Sequence, residues 1–326
     1  MVKALHVQKL TKSFSMRQTS SSVGGALKRL FSAKVCQVNA IEEISFSIAR
    51  GERVAFIGPN GAGKSTTIKM LTGILLPSSG RLEVLGLVPW KERHKLGYQI
   101  GCVFGQRSQL WYHLPPRDTF ELLAKIYELK DSEYKSHLSE LVEGFEIGHL
   151  LDKPVRSLSL GERMRCEIVA SLLHKPKILF LDEPTIGLDI NAKLKIRTLL
   201  NDLSKNFGTT LFLTSHDTAD IEQVCDRVIV LDKGKMILDN SLAELKRKYV
   251  VKKRVTLITE MEKLPLDLAG IKVIENDNYN FVCELDTCEV DVGKLVNEAL
   301  KITVLKDMMI DDPSMDEIIR QVYANG

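Results

Sequence analysis

The feature that most constrains this chain is a glycine-rich loop between an apolar run, residues 54–57, and a helix-like stretch, residues 67–75. The loop, here called the phosphate loop, consists of Gly58, Pro59, Asn60, Gly61, Ala62, Gly63, Lys64, Ser65 and Thr66. Glycines let the backbone turn tightly so that its N–H groups face phosphates, and the positive end of the following helix adds to the attraction. The sequence therefore predicts a bound nucleoside triphosphate, with Lys64 reaching its β and γ phosphates and the Ser65 hydroxyl binding Mg²⁺.

Composition narrows the class of protein. The 326 residues are many for one hydrophobic core, which favours two domains. A net charge of +3, from 45 basic and 42 acidic side chains, creates no strong positive potential that would attract nucleic acid. No nucleic-acid partner is therefore expected. The six cysteines form no Cys-x-x-Cys pair and no zinc spacing, which is typical of reduced cytosolic thiols.

The apolar runs are too short to cross a membrane. Runs such as 178–181 span a few residues, whereas a spanning helix needs about 20. The N-terminus lacks the long apolar core of a secretory signal. We therefore expect a cytoplasmic chain whose membrane role, if it has one, goes through a partner.

The hydrophobic pattern predicts an α/β domain. Short apolar, β-branched runs precede or separate helical patterns, at 44–48, 54–57, 178–181 and 210–214. Such alternation is typical of a largely parallel sheet. Residues 110–175 instead show helical periodicity, which predicts a helical insertion in this domain.

Two further segments stand apart from this pattern. Residues 15–38 predict a flexible loop followed by a short basic helix over 26–34. This segment either contacts an anionic membrane surface or a partner, or is a solvated surface turn. A basic stretch after Leu245 predicts a linker to a second domain over 250–326.

The second domain is predicted to be a small α+β, ferredoxin-like fold. Strands are expected at 255–259, 271–274, 281–285 and 302–305, helices at 292–300 and 314–323, and a hairpin turn at 276–278. No catalytic constellation lies within it. Cys283 and Cys288 are expected to be buried apolar residues, because no histidine lies near them.

Two acidic residues follow the run at 178–181. Asp182 stands at the expected strand tip, where a carboxylate beside a phosphate loop binds Mg²⁺ directly or through water. The adjacent Glu183 is placed to polarise an attacking water.

Upstream, residues 158–162 read Leu-Ser-Leu-Gly-Glu ahead of a helix-like stretch. This signature segment resembles the Leu-Ser-Gly-Gly-Gln signature of the nucleotide-binding subunits of ATP-binding cassette transporters, which are P-loop NTPases. Residues 187–189 are similar to that family's dimer-contacting loop, His216 to its switch histidine and Gln106 to the glutamine of its glutamine loop. The resemblance covers residues 1–245 and five motifs in the same order.

The resemblance implies an ATPase that uses ATP and Mg²⁺ and works as a homodimer or paired cassette. Two cassettes then clamp two ATP molecules, each phosphate loop facing the partner's signature. The implied roles are a general base for Glu183, γ-phosphate contact for His216, water and Mg²⁺ contact for Gln106, Mg²⁺ binding for Ser65 and Asp182, nucleotide contact in trans for Ser159, Gly161 and Glu162, and adenine stacking for Phe14.

The chain departs from the family pattern in several places. Leu160 replaces a glycine, and a leucine does not adopt positive φ cheaply, although its N–H is unchanged. Glu162 replaces glutamine and brings a negative charge towards a triphosphate. The glutamine loop, residues 103–109, is one residue longer than usual, so Gln109 remains an alternative to Gln106. Phe14 remains open as a plain core residue.

The implied function is the ATPase subunit of an export-type transporter. Its permease would be separate integral-membrane chains, with this subunit on the inner face of the cell membrane. The segment 111–114, Trp-Tyr-His-Leu, is expected to receive a permease helix. The alternative is that Trp111 is a core residue.

Other nucleotide-dependent functions fit less well. A soluble cassette ATPase of translation or DNA maintenance is the alternative, but the chain has one phosphate loop, and residues 110–157 lack the sustained heptads of a coiled coil. A small-molecule kinase would need neither the signature segment nor His216.

Overall fold

The computed structural model describes residues 3–17, 35–105, 108–249, 252–287 and 289–325. The chain divides into two compact units, Met1–Asn240 and Ser241–Gly326. The expected basic helix over 26–34, Gln106 and Cys288 lie outside the described residues.

A six-stranded sheet forms the centre of the first unit. Its strands are β3 (Arg53–Ile57), β5 (Ile100–Phe104), β6 (Ile178–Asp182), β7 (Thr210–Thr214), β8 (Arg227–Asp232) and β9 (Lys235–Ser241), in the order β5-β6-β7-β3-β8-β9. Five of these strands, β5, β6, β7, β3 and β8, run parallel to one another. Their interiors are nearly all buried, which explains why they are continuous apolar runs rather than alternating ones.

A smaller antiparallel sheet covers part of the larger one. It contains β1 (Lys3–Arg17), β2 (Val35–Ala49) and β4 (Ser79–Val84), in the order β2-β1-β4. Phe46 of β2 lies 5.8 Å from Phe56 of β3 and 6.4 Å from Phe212 of β7, between ring centroids. These aromatic contacts bury the face between the two sheets and hold β3, the strand that leads into the phosphate loop.

Seven helices are described in the first unit. They are α1 (Lys64–Leu71), α2 (Arg93–Gly97), α3 (Pro116–Ile126), α4 (Asp131–Gly144), α5 (Leu160–Leu172), α6 (Ile190–Phe207) and α7 (Thr218–Val224). Helices α3 to α5 lie between β5 and β6, with short 3-10 turns at Gly148–Leu150 and Val155–Ser157. They occupy the stretch whose periodicity predicts helices.

The second unit is a four-stranded antiparallel sheet with helices. Its elements are α8 (Leu242–Tyr249), β10 (Lys252–Thr259), β11 (Ile271–Asp277), β12 (Asn280–Asp286), α9 (Val292–Ile302), β13 (Leu305–Asp311) and α10 (Met315–Asn325). The order β11-β12-β10-β13 is that of a ferredoxin-like sheet, but the described chain has no helix between β10 and β11. Cys283 is fully buried in its core.

Two local predictions for this unit are wrong. Ile302 ends α9 instead of beginning a strand, because the helical face of Leu295 and Ala299 is buried and outweighs the β-branched run at 302–304. The hairpin turn lies at Asn278 and Tyr279, which have φ of 49° and 66°. Asn276 is inside β11, where its side chain exchanges hydrogen bonds with the backbone of Leu264.

Candidate nucleotide-binding site

The phosphate loop joins the carboxyl end of β3 to α1. Gly61 and Gly63 have backbone φ angles of 84° and 107°, which residues other than glycine rarely adopt. A Cβ atom on Gly63 would lie 2.3 Å from Ile41 Cδ1 and 2.6 Å from the Ala40 oxygen, whereas one on Gly61 would meet no atom within 4 Å. Gly63 is therefore required for both conformation and space.

Helix α1 begins within this loop, at Lys64. The first N–H groups of a helix have no partner within it, so those of residues 64–66 are available to an anion. Thr67 N donates to the Gly63 oxygen at 2.9 Å, which fixes the start of the helix against the loop.

The Lys64 side chain is folded into the site and is 6% exposed. Its Nζ donates to the Gly58 oxygen at 2.7 Å and lies 3.1 Å from His216 Nε2 and 4.0 Å from Glu183 Oε1. Burial lowers the pKa of Lys64, against the opposite effect of Glu183 and Asp182. A phosphate would be a stronger partner for this ammonium than a backbone carbonyl.

Asp182 lies at the tip of β6, next to α1. Its Oδ1 accepts a hydrogen bond from Thr214 Oγ1 at 2.6 Å and from Ser65 Oγ at 3.4 Å. No group of three or more His, Cys, Asp or Glu side chains in the described residues forms a metal site by itself. The oxygens of Ser65 and Asp182 nevertheless fit Mg²⁺, which prefers a few protein oxygens together with phosphate and water ligands.

Glu183 has left-handed backbone geometry, with φ of 55°. Its N–H donates to the Thr214 oxygen at 3.0 Å, which holds the turn against β7. Its Oε1 lies 2.9 Å from His216 Nε2. Strained backbone of this kind costs about 1 kcal/mol or more and is concentrated at functional sites.

These groups line one cavity of about 550 Å³. Of the predicted site residues, the structure brings together Asn60, Gly61, Gly63, Lys64, Ser65, Thr66, Asp182, Glu183 and His216. The lining residues that sequence reasoning missed are Ala40, Lys69, Ile74, Phe104, Gly105 and Ile186. Phe104 and Gly105 lie within the glutamine loop but have no predicted role there, and the other four residues belong to no predicted motif.

Some predicted residues support the loop instead of lining the cavity. Ala62 is buried in the core, and its N–H donates to the Pro59 oxygen at 3.1 Å. A Cβ atom on Gly58 would lie 2.6 Å from the Leu231 oxygen. Phe14 is not a core residue: it is 37% exposed on β1, with Lys12 Nζ 5.1 Å from its ring centroid.

The signature segment starts helix α5 with a capping box. Ser159 Oγ accepts a hydrogen bond from Glu162 N at 3.3 Å, and Glu162 Oε2 accepts one from Ser159 N at 2.8 Å. The Ser159 backbone N–H is the main reason that the pKa of Glu162 is lowered. Leu160 is the first helical residue of α5, so this position demands no positive φ.

Gly161 is also explained by packing, because a Cβ atom there would lie 2.8 Å from Ala192 Cβ. A second cavity of about 370 Å³ is lined by Ser159, Gly161, Glu162, Arg165, Asp189, Asn191, Ala192 and Lys195. It shares no lining residue with the first cavity. Within one chain, the signature segment therefore faces a different opening from the phosphate loop.

The glutamine loop is attached to α5 through Glu167. Gln109 Nε2 donates to the Glu167 main-chain oxygen at 3.0 Å, and Gln109 N donates to Glu167 Oε2 at 3.1 Å. Ser108 Oγ also donates to this carboxylate. Because its side chain is bonded to α5, Gln109 is a poor candidate for Mg²⁺ contact.

Sequence reasoning missed Glu167, although an acidic residue inside the buried stretch 166–172 is an available signal. Burial raises the pKa of Glu167, against the opposite effect of its hydrogen bonds from residues 108–110.

The segment 111–114 presents aromatic side chains to solvent. Trp111 is 48% exposed, so it is not a core residue. The Tyr112 and Leu114 oxygens accept hydrogen bonds from Arg156 N and Val155 N, just before the signature segment. None of the helices within the described residues has the length and apolar character needed to span a membrane.

Known proteins show both sequence and structural similarity to this chain. The family model described as ABC transporter matches residues 41–186, which include the phosphate loop and the signature segment. The daunorubicin resistance ATP-binding protein DrrA3 of Streptomyces coeruleorubidus is 35% identical over 231 residues, 71% of this chain and 71% of that protein. The bacitracin transport ATP-binding protein BcrA of Bacillus licheniformis is 33% identical over 214 residues, 65% of this chain and 69% of that protein.

Among solved structures, cbiO1 from Clostridium perfringens, part of the ABC transporter complex cbiONQ, is 31% identical with a TM-score of 0.61. The match covers 76% of this chain and 94% of that one.

The two loop glycines provide a matched test of the site. Gly63→Ala forces a Cβ atom against the Ala40 oxygen as well as an unfavourable φ, whereas Gly61→Ala adds only the unfavourable φ. We expect Gly63→Ala to weaken MgATP binding by at least about tenfold more than Gly61→Ala, a difference of about 1.4 kcal/mol. Isothermal titration calorimetry measures the affinities, and circular dichroism checks folding. Equal losses in the two folded variants would refute this steric account.

Proposed function

The chain belongs to the family of ABC transporter ATP-binding proteins, and we propose that it is the ATPase subunit of an exporter whose permease consists of separate chains. ATP binding and hydrolysis follow from the family. Export is supported by the names of two relatives, a daunorubicin resistance protein and a bacitracin transport protein. The cargo would be set mainly by the permease.

The observation that carries this function is the convergence of Lys64, Glu183 and His216 in one cavity. The phosphates would lie over the start of α1, where free N–H groups and the Lys64 ammonium neutralise their charge. Ser65 and Asp182 would hold Mg²⁺, which supplies further positive charge to the β and γ phosphates.

Glu183 is the proposed general base. Its carboxylate would accept a proton from the water that attacks the γ-phosphate, while its backbone stays fixed to Thr214. His216 Nε2 lies next to both Glu183 and Lys64, and its single N–H would donate a hydrogen bond to the γ-phosphate while the ring stays beside the base. Gln106 is proposed to contact the water and Mg²⁺, and Phe14 to stack on adenine.

A complete site is proposed to need two cassettes, in a homodimer or a pair. The phosphate loop and the signature segment line separate cavities in one chain. In a head-to-tail dimer, Ser159 and the backbone at Gly161 of one chain would face the γ-phosphate bound to the other. Glu162 would act mainly through its capping hydrogen bond to Ser159, which orients the start of α5 towards that phosphate.

The permease is proposed to dock on residues 111–114, placing the subunit on the inner face of the cell membrane. The exposed aromatic rings suit a docking surface. Backbone hydrogen bonds from Val155 and Arg156 would transmit movement of this segment towards Ser159. We propose that the second unit, which contains the predicted domain over 250–326, is an accessory domain.

The role of Glu183 can be tested by Glu183→Gln, which keeps the shape but removes the base. Steady-state ATP hydrolysis is expected to fall by at least about 100-fold, because general base catalysis contributes on this scale. MgATP binding should persist, and gel filtration with MgATP should show a retained dimer. The control is Glu143→Gln, an exposed glutamate on α4. Hydrolysis by Glu183→Gln at the control's rate would contradict the assignment.

The transporter assignment predicts an integral-membrane partner. Purification of the native protein in mild detergent, followed by mass spectrometry, should recover a polytopic membrane protein in stoichiometric amount. Trp111→Ala should reduce this recovery, whereas Tyr279→Ala, which removes an exposed aromatic ring from the second unit, should not. Recovery with ribosomes or DNA would overturn the assignment.

A further inference from the structure

A buried carboxylate outside the nucleotide cavity joins the segments that carry the two proposed catalytic side chains. Asp220, in the first turn of α7, is 1% exposed. It accepts hydrogen bonds from Thr185 Oγ1 at 2.5 Å, Ser215 Oγ at 2.5 Å and Arg197 Nε at 2.6 Å. Three donors, one of them charged, satisfy this carboxylate away from water.

The positions of two of these donors relate Asp220 to catalysis. Thr185 lies two residues after Glu183, and Ser215 lies immediately before His216. Both hydroxyl groups bond to the same Asp220 oxygen, Oδ2. Any change in the distance between the two segments would therefore break or stretch at least one short hydrogen bond.

The third donor ties this junction to helix α6. Arg197 Nη2 also lies 2.9 Å from Asp217 Oδ2, and Lys193 Nζ contacts the same oxygen at 2.7 Å. Asp217 Oδ1 in turn accepts from Ala219 N and caps α7. The two carboxylates, Asp217 and Asp220, and the two cations, Lys193 and Arg197, therefore neutralise one another next to His216.

We propose that Asp220 is a positioning residue that sets the separation of Glu183 and His216 by holding Thr185 and Ser215 on one carboxylate oxygen. The proposal rests on the catalytic roles given above for those two side chains. Asp220 touches neither substrate nor metal in this account. Its effect on the rate comes through the 2.9 Å contact between Glu183 Oε1 and His216 Nε2.

The sharpest test uses two substitutions at one buried site. Thr185→Val has nearly the shape of threonine but lacks the hydroxyl, whereas Thr185→Ser keeps the hydroxyl. We expect Thr185→Val to lower kcat for ATP hydrolysis by about tenfold, since small displacements of catalytic groups have effects of this order or larger. KM for ATP should stay within about twofold, because kcat alone falls when only the transition state is affected. Thr185→Ser should restore most of kcat.

A second readout does not depend on turnover. In ¹⁵N-histidine NMR spectra of the full-length protein, the ring signals of His216 should shift in Thr185→Val and return in Thr185→Ser. The signals of His149, on the 3-10 turn before the signature segment, should stay unchanged. If Thr185→Val does not fold, Ser215→Ala removes the other hydroxyl and is expected to produce the same two effects.

The outcomes are separable. Wild-type kcat together with unchanged His216 signals in Thr185→Val would overturn the positioning role. A lower melting temperature with wild-type kcat and unchanged signals would assign Thr185 and Asp220 to stability alone, and would also overturn it. A wild-type protein that binds but does not hydrolyse ATP would instead refute the proposed function, while the His216 signals would still test the positioning geometry.

Discussion

The parallel pairing of β6, β7 and β3 is the constraint on which the rest of the site depends. Asp182 pairs with Thr214 across β6 and β7, and β3 pairs with β7 on the other side. Parallel strands end at the same edge of a sheet, so the segments that follow them meet there. This edge brings together residues from three distant parts of the chain, and the 2.6 Å hydrogen bond from Thr214 to Asp182 fixes their alignment.

The parts of the site that could be predicted from sequence are those encoded locally. Gly61 and Gly63 are needed by their own backbone angles, and Asp182 and Glu183 directly follow an apolar run. The contacts of Glu167 and Asp220 could not be predicted in this way. Each residue has a partner far along the chain, 59 positions away in the contact Ser108–Glu167 and 35 positions away in the contact Thr185–Asp220. Only the tertiary fold brings such pairs together.

The same distinction applies to the fold. Strands β3, β6 and β7 were predicted because each is a short apolar run, whereas β5 and β8 were not predicted, and the run at 44–48 lies in the antiparallel β2. Strands β1 and β2 pair over most of their length but with several register shifts, which break the alternation that marks an antiparallel strand. The departures at Leu160 and Glu162 fit the start of α5 for a local reason: Leu160 is helical, and Glu162 completes a capping box. The effect of the Glu162 charge on nucleotide binding stays a prediction.

The central claim is that the catalytic site is shared between two chains. Mixing two inactive variants tests it directly: Lys64→Ala disables the phosphate loop, and Ser159→Arg disables the signature segment. If the signature acts in trans, each mixed dimer has one intact site, and an equal mixture should recover roughly a quarter of wild-type hydrolysis. A mixture of wild type with Lys64→Ala shows whether a dimer with one intact site is active. No recovery, when that control shows activity from single sites, would contradict the shared site.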